Sequence, residues 1–458
     1  MSFEALGEDV LLEVLFFCDI STVLVVSAIN QALRRIALRK QLWLSLVLDT
    51  RFRDALELPP PNGEKLQCLS AEELITVVKN TVTGLGSLWD SKHDESPVTM
   101  IRFQIPLSDI EYLPTAHLLP GARYILLQST SKAPQRLYIY DVWSAQRVWQ
   151  RSVQTAHSWK VCRVDLAPGS AIARVFFVQT VDHPNACDRT LHVEEVDLIT
   201  GVSHELFNFS LDGMVSRVKP FDIAGDFLLA VVEHSRSFYA MAMLLLINWR
   251  ASTFLSLNRN ERFFVQLIPG YILSTYRESS PPYAHILVVT PLKVVSDRWQ
   301  PLTEIHTVLA AQLEAGSAPD TISIQNITTQ ERLEYNHLPL KPDSVTAKPD
   351  ALHAGAYNIS VYGPQFSEPP PKPVTPVGTP ITMPARREKV SWEPAHLSYR
   401  FTPAQGQAGS KLRLVSTRDV FDSLQIYSPS SRVILTPSGN SISVIYRKRR
   451  QWTGADAA

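Results

Sequence analysis

Pro120–Ala145 reads PGARYILLQSTSKAPQRLYIYDVWSA. A proline-glycine turn opens it, an apolar run follows, a polar loop interrupts, and a second apolar run ends on an acidic residue and a further turn. The same order recurs. Pro168-Gly169 stands before AIARVFFVQ, Ala224-Gly225 before DFLLAVVE, and Pro269-Gly270 before YILSTYR. Each is followed by a second run: TLHVEEVDL, AMLLLINW and HILVVTPL. Short runs of β-branched, aromatic and leucine residues between turn signals read as strands. Three second runs end at Asp141, Asp197 and Asn248, side chains that bond their own backbone and close a tight turn before the chain reverses. The four glycines lie roughly 45 to 56 residues apart. A period of that size marks one supersecondary unit repeated, and such a unit buries its apolar faces only against its neighbours.

Strand order and turn placement make this region resemble a degenerate WD-repeat-like β-propeller, running over residues 98–446. The Gly-His and Trp-Asp signatures of that family are missing at the expected positions, and Leu88-Trp89-Asp90 stands before the first unit. A β-sandwich or irregular β-domain is the competing reading. A propeller has to close, because an open ring leaves a long unpaired edge. The strand near Met100-Ile-Arg-Phe103 is therefore expected beside the C-terminal strands, which end with Ser443-Val-Ile-Tyr446. Residues 363–394 hold Pro369-Pro370-Pro371 and prolines at 373, 376, 380 and 384. That density removes backbone donors and reads as a disordered excursion from one blade. Residues 447–458 read as a solvated basic tail beginning Arg447-Lys-Arg-Arg450.

The N-terminal stretch has a different period. Leu6–Leu48 reads LGEDVLLEVLFFCDISTVLVVSAINQALRRIALRKQLWLSLVL. Val10, Leu11, Val14 and Leu15 form two pairs four residues apart, while Glu8, Asp9 and Glu13 stay polar. This is helical spacing, with acidic residues where the positive end of the helix dipole favours them. Breaks fall at Cys18-Asp19-Ile20 and near Asn30, and Ser21 is the expected cap of the second helix. A third helix carries Leu33, Ile36 and Ala37, and the bulky pair Leu42-Trp43 follows. Some forty residues cannot cover so much aliphatic surface themselves, so an apolar face is left for a second protein. A signal peptide or membrane span is not expected. The residues before Val10 are acidic, Glu13 and Asp19 interrupt the run, and no window reaches ~20 apolar residues.

In register from Leu6-Gly7 through Asp19-Ile20, Val26-Ser27, Asn30, Leu33-Arg34 and Ile36-Ala37 to Leu42-Trp43, residues 1–50 resemble an F-box. That family's module docks on the adaptor of SCF-type cullin-RING ubiquitin ligases. Two positions depart from its pattern: Gly7 replaces the usual proline, and Leu33 stands where a bulky aromatic is common. The resemblance implies a three-helix module and assigns Leu6, Val10, Leu11, Leu15, Leu24, Leu33, Leu42 and Trp43 to building or presenting the adaptor-facing surface. It implies a Skp-type adaptor and, through it, a cullin as partners, with the β-domain holding a target protein. Residues 51–97 read as a connector: the proline-marked Leu58–Gly63, then a helix near 71–83 started by a Ser70/Glu73 capping box.

Composition narrows the function classes. Lys+Arg and Asp+Glu are equal at 44 each, which gives no electrostatic case for nucleic acid or an anionic membrane as main partner. The four cysteines, at 18, 68, 162 and 187, have no C-x-x-C spacing. That pattern argues against a zinc site or a disulfide framework and fits a reducing compartment, cytoplasm or nucleus. No H-E-x-x-H or G-x-S-x-G occurs, and Gly406–Lys411 fails the phosphate-loop pattern. The expectation is a multidomain α plus all-β protein with no catalytic, cofactor or metal residues. Its function is substrate recognition for a ubiquitin ligase, or, as the alternative, a scaffold not linked to ubiquitination.

Overall fold

The computed structural model describes residues 6–83 and 98–449. Within the second range it leaves out 108–109, 111–113, 130–134, 154–161, 167–168, 184–185, 212–216, 234–241, 259–263, 278–284, 316–321, 324–331, 336–343, 367–391, 405–408, 420–431 and 439. Trp89, the bulk of the proline-rich stretch and the last nine residues of the expected basic tail thus lie outside the described residues.

The chain opens with seven helices: α1 (Glu8–Phe16), α2 (Ile20–Ser27), α3 (Gln31–Ala37), α4 (Lys40–Leu48), α5 (Thr50–Ala55), α6 (Gly63–Cys68) and α7 (Ala71–Thr83). The cap of α2 is Asp19 rather than Ser21: its Oδ1 accepts the Thr22 N–H at 2.7 Å. Asn30 caps α3 through the Leu33 N–H at 2.8 Å. The pair Leu42-Trp43 that follows the third helix lies on a fourth, α4, separated from α3 by an extended Arg39. The Ser70/Glu73 capping box forms as expected, with Ser70 N–H donating to Glu73 (2.7 Å) and Glu73 N–H to Ser70 Oγ (3.2 Å). The division at residue 50 does not hold. Leu74 and Val78 of α7 and Phe52 of α5 share one core with Leu11, Leu15, Leu33, Leu42 and Trp43.

Six sheets follow. After β1 (Val98–Pro106), blade 1 holds β2 (Thr115–Leu118), β3 (Tyr124–Gln128), β4 (Gln135–Asp141) and β5 (Gln146–Val153). Blade 2 holds β6 (Cys162–Leu166), β7 (Ile172–His183), β8 (Ala186–Asp197) and β9 (Ser203–Ser210). Blade 3 holds β10 (Arg217–Ala224), β11 (Phe227–Glu233), β12 (Ala242–Asn248) and β13 (Thr253–Asn258). Blade 4 starts with β14 (Phe264–Ile268), β15 (Tyr271–Arg277) and β16 (His285–Pro291). The chain then returns to blade 3. There β17 (Gln300–Pro301) pairs with β13, α8 (Ile305–Ala315) packs Ile305 and Leu309 into the core between blades 2 and 3, and β18 (Ile322–Ser323) pairs with β13 in parallel. Only then does β19 (Arg332–Tyr335) complete blade 4. Blade 5 holds β20 (Ser344–Pro349), β21 (Tyr357–Phe366), β22 (Trp392–Thr402) and β23 (Lys411–Asp419). Blade 6 pairs β24 (Val433–Ser438) with β25 (Ser441–Arg449), and β1 closes it from Val98↔Arg449 to Pro106↔Ser441. The chain is therefore an α-helical module followed by a six-bladed propeller, closed by its own first strand.

Two expected boundaries move. β25 runs on to Arg449, so Arg447, Lys448 and Arg449 are paired strand residues and not tail. Gly363–Phe366 and Trp392–Pro394 belong to the β21–β22 hairpin, with Pro364 opposite Pro394.

The runs that read as strands are apolar on both sides because both sides are buried. In β3 and β4, Leu126, Leu137 and Ile139 enter the core shared with blade 2, while Ile125, Leu127, Tyr138 and Tyr140 enter the core shared with blade 6. The other clusters likewise lie between neighbouring blades. The turn acids act as expected: Asp141 accepts from Trp143 N–H (2.9 Å), Asp197 from Ile199 N–H (2.8 Å) and Asn248 from Ala251 N–H (3.0 Å). A second polar device was not read from the sequence. First strands clip onto the next blade: Asp165 accepts the Gly225 N–H (2.8 Å), Asp222 the Leu267 N–H (2.6 Å) and Gln266 the Ala347 N–H (2.8 Å).

Removing residues 441–446 takes out the middle strand of the closing blade. The expected outcome in calorimetry is loss of the cooperative transition of the whole β-domain; a truncated protein that keeps its melting temperature would refute closure. Ile442→Ala alone should cost about 2–5 kcal/mol. Burial raises the Asp222 carboxyl to about 7 against the pull of the Leu267 amide, the Arg163 charge and the Ile223 amide. An acid whose folded pKa is raised favours the folded state at low pH, and that stability is lost as pH climbs from about 4 toward the folded value. The melting temperature should accordingly fall over this window more steeply in wild type than in Asp222→Asn; equal slopes would remove Asp222 as the cause.

Candidate functional site

The helical module places its aliphatic residues in two sets that look alike in sequence. Leu11, Leu15, Leu33, Leu42 and Trp43 are buried in its core, so of the residues assigned to a partner-facing surface these five build it and do not present it. The reason is rotation about the helix axis: in α1, Leu11, Leu12 and Leu15 turn inward onto α3 and α4. Trp43 is held fully inside, its indole N–H donating to the Ala37 carbonyl at 2.8 Å. Leu6, Val10 and Leu24 are exposed.

Four further side chains join these three. Val14 and Phe17 continue the line of Val10 along α1 at spacings of four and three, and Phe17 is 89% exposed. On α2 and just beyond it, Val25 is 62% and Ile29 61% exposed. Burying one such side chain yields about 1.5–3 kcal/mol, so their exposure leaves a substantial apolar contribution unused in this chain. Sequence reasoning missed Val14, Phe17, Val25 and Ile29 as surface. The signal was present in the i, i+4, i+7 run Val10–Val14–Phe17, a second stripe beside Leu11–Leu15.

Charges border this surface. Glu8 in the first turn of α1 pairs with Arg35 and with Arg39 (2.8 Å), tying α1 to α3 across its solvent side. Burial works against the Asp19 carboxylate, but bonds from Thr22 and from the Ala354 N–H outweigh it and hold its pKa below the usual range. Burial raises the Cys18 thiol, with Asp19 adding to the effect.

The module sits on the propeller face that carries the glycine turns. Gly121 and Gly169 have φ of +84° and +74°, and a Cβ there would meet Asp54 at 2.8 Å and Thr50 at 2.9 Å. These two repeat glycines thus serve the turn and the close approach of α5 together, whereas Gly225 and Gly270 have open space there. Asp54 accepts the Gly169 N–H at 3.3 Å, and burial raises its pKa in spite of that bond.

The described residues hold no group of three or more His, Cys, Asp or Glu placed to bind a metal ion. His204 Nε2 lies 3.4 Å from Glu195 and His192 Nδ1 2.9 Å from Glu205 on blade 2, so each pair bridges two neighbouring strands.

No family model matches the chain, and no curated protein sequence matches it. Solved structures do. The WD40 domain of SCAP from fission yeast is 9% identical over 72% of this chain and 84% of that one, with a TM-score of 0.24. The β-propeller domain of the Trilobed protease from Pyrococcus furiosus, with an open velcro topology, is 9% identical over 68% and 82%, with a TM-score of 0.30. A member of the duf4221 family from Bacteroides vulgatus is 9% identical over 78% and 99%, with a TM-score of 0.31. The propeller assignment itself rests on the six sheets and their closure.

Core and surface roles separate by mutation. Leu15→Ala should destabilise the helical module by about 2–5 kcal/mol, whereas Phe17→Ser should stay within about 0.5 kcal/mol. Chemical denaturation followed by Trp43 fluorescence checks both, and a large loss on Phe17→Ser would place Phe17 in the core.

Proposed function

We propose that this chain is the substrate-receptor subunit of an SCF-type ubiquitin ligase, with the α1–α2 surface docking the Skp-type adaptor and the propeller holding a target. The observation that carries the reading is the exposure of Val10, Val14 and Phe17, in line at helical spacing, together with that of Leu24, Val25 and Ile29 on α2 and just beyond it. These side chains lie in a module that has already closed its own core and whose sequence resembles an F-box from Leu6 to Trp43. The role is proximity: tethering a target beside a ubiquitin-charged enzyme raises its effective concentration without chemistry by this chain. The propeller supports this role as a recognition scaffold, with loops on a rigid frame. A protein-interaction scaffold outside any ligase is the competing class. It would use the same surface for a different partner.

Full-length protein should co-purify with a Skp-type adaptor and a cullin. Val10→Asp combined with Phe17→Asp places two charges in the apolar surface and should abolish that capture, while Val294→Asp, on the exposed side of the propeller, should not. Both α1 positions are exposed, so folding is preserved; Leu11 and Trp43 are unsuitable because they are core. Failure of the wild-type chain to bind adaptor at micromolar concentration would leave the scaffold reading.

A further inference from the structure

Glu57 follows α5 with a left-handed backbone, φ +51°, and its side chain is almost wholly buried where the helices meet the propeller. A non-glycine residue at positive φ is uncommon, and a buried carboxylate is costly unless paired. The propeller supplies the pairing. Lys348, near the end of β20, forms an ion pair with Glu57. Arg432, just before β24, is buried beside it, and Glu57 stabilises its charge while burial lowers its pKa to about 10. The Arg432 guanidinium donates to the carbonyl oxygen of Leu56 (3.4 Å), just past α5, and to that of Thr81 in the last turn of α7. Carbonyls at helix ends lack intrahelical partners and carry the negative end of the dipole, so a cation is favoured there. The backbone carbonyl of Arg432 meanwhile accepts the Arg447 N–H at 2.8 Å, which makes Arg432 part of the closing blade.

A second contact lies at the start of α2. Asp19 caps that helix with one oxygen and accepts the Ala354 N–H with the other, at 2.8 Å. The Ser21 N–H donates to the Leu352 carbonyl at 3.0 Å. Leu352 and Ala351 pack against the helical core from the β20–β21 turn, and Asp350, which shapes that turn, is held by Arg400 (2.9 Å).

We infer that these two contacts form a positioning lock, which fixes the α1–α2 surface in one orientation on the propeller and couples seating of the helices to closure of the ring. The helices therefore do not swing on a linker. In its functional consequence, a constant span between adaptor and target, the inference rests on the ligase reading; in its structural content it does not.

Hydrogen exchange of the full-length protein tests the lock. Arg432→Met keeps the aliphatic stem and removes the donors. Protection in the C-terminal turns of α5 and α7 and in β24–β25 should fall together by about tenfold or more, while β7–β8 in blade 2 stay protected. Should Arg432→Met fail to fold, Asp19→Ser keeps the α2 cap but falls short of Ala354. Exchange at the Ala354 amide and in the β20–β21 turn should then rise about tenfold with α2 intact. Loss confined to β24–β25, or no loss in either variant, overturns the lock. Both variants should still capture the adaptor, since Val10 and Phe17 are untouched. Absence of capture by the wild type counts against the ligase reading alone.

Discussion

The pairing of β1 with β25 is the constraint on which the rest of the molecule depends. A propeller has no single core; it has apolar layers between successive blades, and each blade is stable only when both of its sides are covered. The nine paired positions from Val98↔Arg449 to Pro106↔Ser441 give blade 6 its outer strand. They thereby cover the side of blade 1 formed by Ile125, Leu127, Tyr138 and Tyr140. Tyr446 reinforces the joint. Its hydroxyl donates to the Ala122 carbonyl (2.5 Å) and accepts the Trp143 indole N–H (3.2 Å), so β25 is hydrogen-bonded to two turns of blade 1. Because the pairing joins opposite ends of the domain, its loop-closure entropy is lost before the contacts form, which places closure late in folding.

Closure also decides where the helices sit. They rest on the face that holds the turns between first and second strands, touching blade 1 at Gly121, blade 2 at Gly169, blade 5 at Leu352 and Ala354, and the closing blade at Arg432. A module bridging both sides of the ring's seam stabilises the closed form over an open one. The helices and the first strand therefore act on the same gap, one by capping it and the other by pairing across it.

Much of the propeller was legible because its turns need particular chemistry. Gly121, Gly169, Gly225 and Gly270 all have positive φ, and only glycine adopts that region freely. The fifth such turn, at Gly355 with φ +76°, escaped notice because the strand before it, Ser344–Pro349, is polar and half-buried. The blade 3–blade 4 exchange through β17, α8 and β18 was illegible for a different reason: which sheet a short strand joins is set by distant packing and has no local signature. The clips from Asp165, Asp222 and Gln266 share this property. On the helices, period revealed an apolar stripe but not its direction. Val10 and Leu11 are adjacent and equally aliphatic, and only the positions of α3 and α4 turn one outward and the other in.

That ambiguity bears on the surplus of apolar residues in the first fifty. Such a segment need not present a partner site, since the domain beside it can cover its surplus. Here part of it is covered: α5 and α7 complete the core with Phe52, Leu74 and Val78, and Ala351 and Leu352 from the propeller pack against it. What these additions leave uncovered is not a random residue of the surplus. Leu6, Val10, Val14 and Phe17 line one side of α1, and Leu24, Val25 and Ile29 follow on α2 and beyond. A single exposed aliphatic needs no explanation, but here seven large apolar side chains stand exposed within residues 6–29. The propeller takes the start of α2 through Asp19 and Ser21 and leaves Leu24 and Val25, one turn further on, in solvent. The module is thus anchored to the propeller through one side and open to solvent through another.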